Sequence, residues 1–159
     1  MIDRLSHFHL HFGRFIRDAS GVLLIAAAAL LLLARLGLTG GSILTPVALF
    51  LSTWLGWGAF ALFAAFAAIG AVLIRPPAGS APWARIFALE LAALMALGLL
   101  SIAGGSSLVR ADAGLDGGRL GWGIAYALRT YLGFIGGSSL LIALVLVFGS
   151  AGLGLFGHL

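Results

Sequence analysis

The chain predicts an all-α integral membrane protein: four transmembrane helices plus short interfacial or re-entrant helices. Three observations carry that fold class. Sixty-two per cent of the 159 residues are apolar and only nine per cent are charged, too few to give a domain of this size a polar surface. The apolar residues fall in runs near the roughly 20 residues that a helix needs to cross a bilayer's hydrocarbon core. These runs do not alternate with polar residues, as the strands of a membrane barrel would; Ile25–Ala34 is apolar at every position.

The elements follow in order. In residues 1–20, Ile2, Leu5, Phe8, Phe12, Phe15 and Ile16 recur at three- and four-residue spacing. That places them on one face of a helix, so this segment reads as an amphipathic interfacial leader. Residues 21–159 form the four-helix transmembrane domain. Its first span is Gly21–Leu38, which follows Arg14 and Arg17 and reads as an uncleaved signal-anchor helix. Thr39–Ser42 is a tight turn. As one helix, the next run, Ile43–Ile74, would reach roughly 48 Å, too long for one crossing. It splits at Leu55-Gly56-Trp57-Gly58 into a short helix opening at Pro46, a favoured first helical position, and a second span, Ala59–Ile74. Arg75–Pro82 is a loop, because its prolines and Gly-Ser step stop one helix and start the next.

Trp83–Ala103 is the third span and Phe134–Phe156 the fourth. Between them, Gly104–Gly118 reads as a polar loop in which Asp112 and Asp116 form a solvated turn. Leu120–Leu132 is a second short helix. Trp122, Tyr126 and Arg129 share one face at i, i+4 and i+7, the combination expected of interfacial residues at headgroup level. The plan is therefore used twice: a span, a turn, a short helix at the outer surface, then a return span.

Four crossings put both termini on one side. Five arginines (Arg4, Arg14, Arg17, Arg75, Arg85) lie on that side and four (Arg35, Arg110, Arg119, Arg129) on the other. The three that flank the first helix favour cytoplasmic termini in a cell inner (plasma) membrane. A formal charge of +4 points to anionic headgroups before it points to direct nucleic acid binding.

Several chemistries are excluded by composition. There is no cysteine and no lysine, hence no disulfide, thiolate metal site, phosphate-loop lysine or Schiff base. The four histidines are His7, His9, His11 and His158; none lies within a span, so no intramembrane bis-histidine haem is expected. His7, His9 and His11 are weak metal-ligand candidates by spacing, and amphipathic interface residues on the alternative reading. No enzyme is expected, and no cofactor other than bound lipids.

Glu90 is the one acid within a span. An intramembrane carboxylate points to function by default, a proton or quinone role included, or to pairing with an arginine such as Arg85 or Arg129. On the same helix Ala88, Ala92 and Ala96 form a small-residue packing stripe. Glu90 lies about 200° around from Ala88 and so faces away from that stripe. Ala61 with Ala65, and Gly117 with Gly121, have the small-xxx-small spacing of packing or assembly contacts. Arg35, near the far end of the first span, reads as a snorkelling interface anchor.

Four segments carry a family resemblance. They are Leu55-Gly56-Trp57-Gly58-Ala59-Phe60-Ala61-Leu62, Trp83-Ala84-Arg85, Gly117-Gly118-Arg119-Leu120-Gly121 and Leu132-Gly133-Phe134-Ile135-Gly136-Gly137. In this order of elements the chain resembles the N-terminal four-helix transmembrane domain of FtsK/SpoIIIE-type DNA translocases over roughly residues 18–156. The resemblance implies a bacterial membrane domain that anchors and oligomerises a cytoplasmic ATP-driven motor. Leu38-Thr39-Gly40-Gly41-Ser42 replaces the family's Asp-Pro-Ser stretch, and no motor sequence is present. Two expectations follow: a self-associating anchor, or a cofactor-free accessory subunit of a larger membrane complex such as an electron-transport assembly. The partners implied are membrane lipids, other membrane subunits, or a homo-oligomer.

Overall fold

The computed structural model describes residues 2–75 and 83–155, with side chains described within 14–75 and 84–155. Among the described residues there are six helices and no strand: α1 (Ile2–Arg35), α2 (Leu44–Leu55), α3 (Gly58–Ile74), α4 (Trp83–Ala103), α5 (Leu108–Asp112) and α6 (Gly118–Gly152).

The leader and the first apolar run make one 34-residue helix, α1. No proline or turn sequence separates them, and Gly21 sits in the helix where α3 comes closest. A Cβ added to Gly21 would meet the Gly70 carbonyl oxygen at 2.6 Å, and one added to Gly70 would meet the Gly21 carbonyl oxygen at 2.6 Å. Two backbones thus touch at the α1–α3 seam, as small residues permit. α1 ends in a Schellman closure, with Leu38 N–H donating to Leu33 O at 2.9 Å and Gly37 N–H to Ala34 O at 3.1 Å.

α2 starts two residues before Pro46. The proline therefore lies within the first turn, where a backbone N–H has no intrahelical partner and its loss costs little. α2 and α3 meet at a bend of 117°. Gly56 makes the bend, with φ 57° and ψ −128°, a conformation costly for any residue carrying a Cβ. α4 has the bounds its sequence predicts. The loop expected over 104–118 contains α5, five residues long, too short for periodicity to reveal. α6 is two arms, 118–132 and 134–152, broken at Gly133 (φ 72°, ψ 177°). The expected separation of a short helix from the last long one is thus present as a break inside one element.

Arg14–Arg35, Ala84–Ala103 and Gly118–Gly152 are long and apolar enough to cross a membrane. The bent pair α2–α3 makes a fourth if it is taken as one broken span. α1 packs along α3 and α4 along α6, while α2 lies against α6 and joins the two pairs. Leu31, Ala59 and Phe63 are buried in the first pair, surrounded by Leu32, Leu44, Leu51 and Leu55. In the second, Leu97, Ala125 and Leu141 are buried. Large apolar side chains such as Leu23, Phe87, Ile135 and Leu146 remain exposed, a surface suited to lipid.

Candidate functional site

The polar residues gather at one end of the helix pairs, in a cap formed by the end of α1, the α2–α3 bend, α5 and the start of α6. Trp57 N–H donates to the Asp116 carbonyl at 2.8 Å, tying the bend to the loop before α6. Arg35, read from the sequence as an interface anchor, donates through Nη2 to the Gly114 carbonyl at 3.3 Å. Its guanidinium also lies 5.9 Å from the centre of the Phe60 ring. Gly114 and Gly118 bring the loop against Ser52 and Trp54 of α2.

Asp112 and Asp116 are not a free solvated turn, since each holds an arginine. Asp116 takes two hydrogen bonds from Arg110, at 2.8 and 2.9 Å, and Asp112 takes one from Arg119 at 2.6 Å. Arg119 also lies 6.0 Å from the Trp54 ring centre. Both ion pairs are solvent-accessible, so water and salt screen them and neither adds much to stability. The strength of the cap lies in its backbone hydrogen bond and in the glycines that permit close approach. Gly117 and Gly121 are buried on the Leu97 carbonyl of α4, so this predicted small-residue pair does pack helices.

The hydrogen bonds from Arg110 hold the Asp116 carboxyl below the usual carboxylate range, with smaller opposing and assisting contributions from burial and from the Arg110 charge. A depressed folded-state pKa means that this contribution is whole above about pH 4 and is lost as the pH falls through the lower folded value. The thermal midpoint should therefore fall more steeply below pH 4 in the parent chain than in Asp116→Asn, which lacks the titrating group. Parallel acid profiles would remove the ion pair from the cap's stability.

The trio Trp122, Tyr126 and Arg129, read from the sequence as interfacial, is also built into the fold. Trp122 stacks on Tyr126 with ring centres 5.2 Å apart, and its Nε1–H donates to the Ser106 carbonyl at 3.2 Å. Arg129 lies 5.4 Å from the Phe134 ring centre, across the Gly133 break. A cavity of about 390 Å³ opens here, lined by Ser106, Tyr126, Arg129, Thr130 and Phe134.

On α4, Ala92 is buried and Ala88 and Ala96 are half-buried, whereas Glu90 is exposed. The alanine stripe thus packs inward and the carboxylate faces out, beside Ala84, Ile86 and Phe87. Among the described residues no ion pair involves Glu90, so neither Arg85 nor Arg129 answers it. Ala61 and Ala65 are likewise exposed on α3; the seam with α1 uses Ala59, Phe63 and Gly70 instead. His7, His9 and His11 lie on the α1 backbone with side chains outside the described residues. Among the described residues no group of three metal-ligating side chains comes together.

Comparison with protein-family models, curated proteins and solved structures finds no match for the chain.

Proposed function

We propose that the chain is a non-enzymatic membrane anchor and assembly scaffold that crosses the bacterial inner membrane four times with its termini in the cytoplasm. In this reading α1, α3, α4 and the second arm of α6 are the crossings, and the polar cap lies on the outer face. The charged side chains of the cap are engaged with one another and with backbone carbonyls, which suits fastening better than turnover. The segments that carry the translocase resemblance fall at the α2–α3 bend, the start of α4, the start of α6 and the Gly133 break. Three of the four hold the glycines at which the backbone bends or approaches closely, Gly56, Gly117, Gly118 and Gly133.

One observation carries the assembly part of the reading: Glu90. It lies seven residues into α4, about 10 Å along the helix axis, and it faces outward. A carboxylate at that depth is costly against hydrocarbon, so a neighbouring helix that offers a cation or a hydrogen-bond donor is the natural cover. The exposed alanines of α3 would let a second helix approach closely. A translocase-like anchor supplies the cover from further copies of itself. An accessory subunit receives it from a different protein, and the outward-facing Glu90, with no ion-pair partner among the described residues, is open to either source.

Extraction of native membranes in mild detergent, followed by mass spectrometry of everything retained, separates the two readings. Self-association predicts a homo-oligomer, and the accessory reading predicts companions in fixed ratio. A monodisperse monomer without companions would sink both. Glu90→Leu should weaken whichever assembly is found by about 2–5 kcal/mol, the cost of removing one member of a buried polar pair, with little change in the monomer's own melting.

A further inference from the structure

We propose that the cavity between the end of α4 and the break in α6 binds the phosphate group of an anionic membrane phospholipid. The inference rests on the membrane reading above and adds a defined lipid site to it. Four observations converge on the cavity.

Arg129 on its wall is a cation without a carboxylate. Among the described residues the ion pairs belong to Arg110 and Arg119, and Arg35 is engaged with Gly114. Arg129 is held instead over Phe134 at 5.4 Å, which leaves its N–H groups free for an anion. A guanidinium matches the geometry of a phosphate with paired donors.

Ser106, which also lines the cavity, has an unspent hydroxyl. Its backbone N–H donates to Ser101 O at 2.8 Å, and its carbonyl accepts from Trp122 at 3.2 Å. Its Oγ is buried and without a hydrogen-bond partner, a condition that costs about 1–3 kcal/mol. Ser106 also stands at φ 53°, unusual for a residue with a side chain, in the turn that closes α4.

The cavity's size and surroundings fit a headgroup. At about 390 Å³ it falls within the range of small-molecule sites. Its aromatic wall, Tyr126 stacked on Trp122, is the side-chain chemistry found at headgroup depth.

An exposed apolar strip lies on the same arm of α6 as Phe134, which lines the cavity. Ile135, Ile142 and Leu146 are 79%, 50% and 65% exposed, and at i, i+7 and i+11 they share one face of the second arm of α6. Acyl chains can lie along this strip while the phosphate sits above it. A free phosphate ion would gain nothing from the strip, which is why a lipid is the preferred source.

The test uses the full chain purified in a neutral detergent. Thermal midpoints are compared with added phosphatidylglycerol, phosphatidylcholine and inorganic phosphate, and retained lipid is read by native mass spectrometry. Phosphatidylglycerol is expected to raise the midpoint and to be retained at least fivefold over phosphatidylcholine. Arg129→Gln should abolish both effects, whereas Arg75→Gln, an equal loss of charge away from the cavity, should preserve them. Equal retention of the two lipids by the parent chain would overturn the proposal, and this comparison does not depend on any variant folding. A full shift with inorganic phosphate alone, or an undiminished shift in Arg129→Gln, would overturn it too. Recovery of the chain from the aqueous fraction would instead defeat the membrane reading on which the site rests.

Discussion

Gly56→Ala should destabilise the detergent-solubilised protein by about 2–5 kcal/mol, combining a left-handed backbone penalty with overpacking. Two independent costs meet at this residue. Its φ of 57° penalises any Cβ, and a Cβ placed there would run into the carbonyl of Asp116 and the backbone N of Gly118. Asp116 O is also the acceptor for Trp57 N–H at 2.8 Å. The alanine therefore pushes apart the one backbone hydrogen bond between the α2–α3 bend and the loop preceding α6. Trp54 and Trp57 flank the bend, so thermal unfolding followed by tryptophan fluorescence reads the change directly. A midpoint within a degree of the parent would mean that the bend is not the point at which the two helix pairs are fastened.

The second large effect belongs to Gly133. With φ 72° and ψ 177° it occupies a region essentially reserved for glycine, and another residue there costs on the order of 1–3 kcal/mol. Nothing beyond its own turn of helix stands within 4 Å of an added Cβ, so the penalty is one of local backbone conformation. α6 can relieve it by straightening. In the parent chain the two arms fold towards each other closely enough that a Cβ on Gly137 would meet the Leu128 backbone at 3.2 Å. A straight helix would separate those residues by roughly 13 Å. Spin labels introduced at Ala127 and Leu146, in a chain that has no native cysteine, should show the change. The distance in Gly133→Ala is expected to lengthen towards about 28 Å, the span of a straight helix. An unchanged distance together with unchanged melting would show that the break is imposed by packing and does not depend on the glycine.

These two glycines also show how far residue order alone carries. Both breaks can be read in the sequence, since each interrupts an apolar run too long for one crossing or divides a headgroup-type face from a lipid-type one. α4 is legible to its bounds because prolines precede it and a Gly-Gly pair follows it. The outward direction of Glu90 follows from helical geometry once the alanine stripe is recognised, and the stripe, with Ala92 buried and Ala88 and Ala96 half-buried, turns inward as that geometry requires. The cap is not legible. Its ion pairs join residues six and seven apart in a loop, where no periodicity assigns partners, and Arg35 reaches a carbonyl 79 residues away. α5 escapes for the same reason, being a single turn stabilised by its neighbours. Small-residue spacing is ambiguous by itself: Gly117 and Gly121 pack on Leu97, whereas Ala61 and Ala65 face outward with the same spacing. The cavity beside Arg129 needs the fold, because Ser106 and Phe134 are brought together only when α4 and α6 are packed.

The central claim, four crossings with the cap on one side and the termini on the other, is tested most directly by single cysteines placed at exposed positions. Gly40 and Ala113 mark the cap end, and Arg75 and Leu155 the opposite end. With a membrane-impermeant maleimide, Gly40→Cys and Ala113→Cys should be labelled in intact spheroplasts, while Arg75→Cys and Leu155→Cys should be labelled only after permeabilisation. Labelling of Ala113→Cys and Arg75→Cys from the same side would contradict the account.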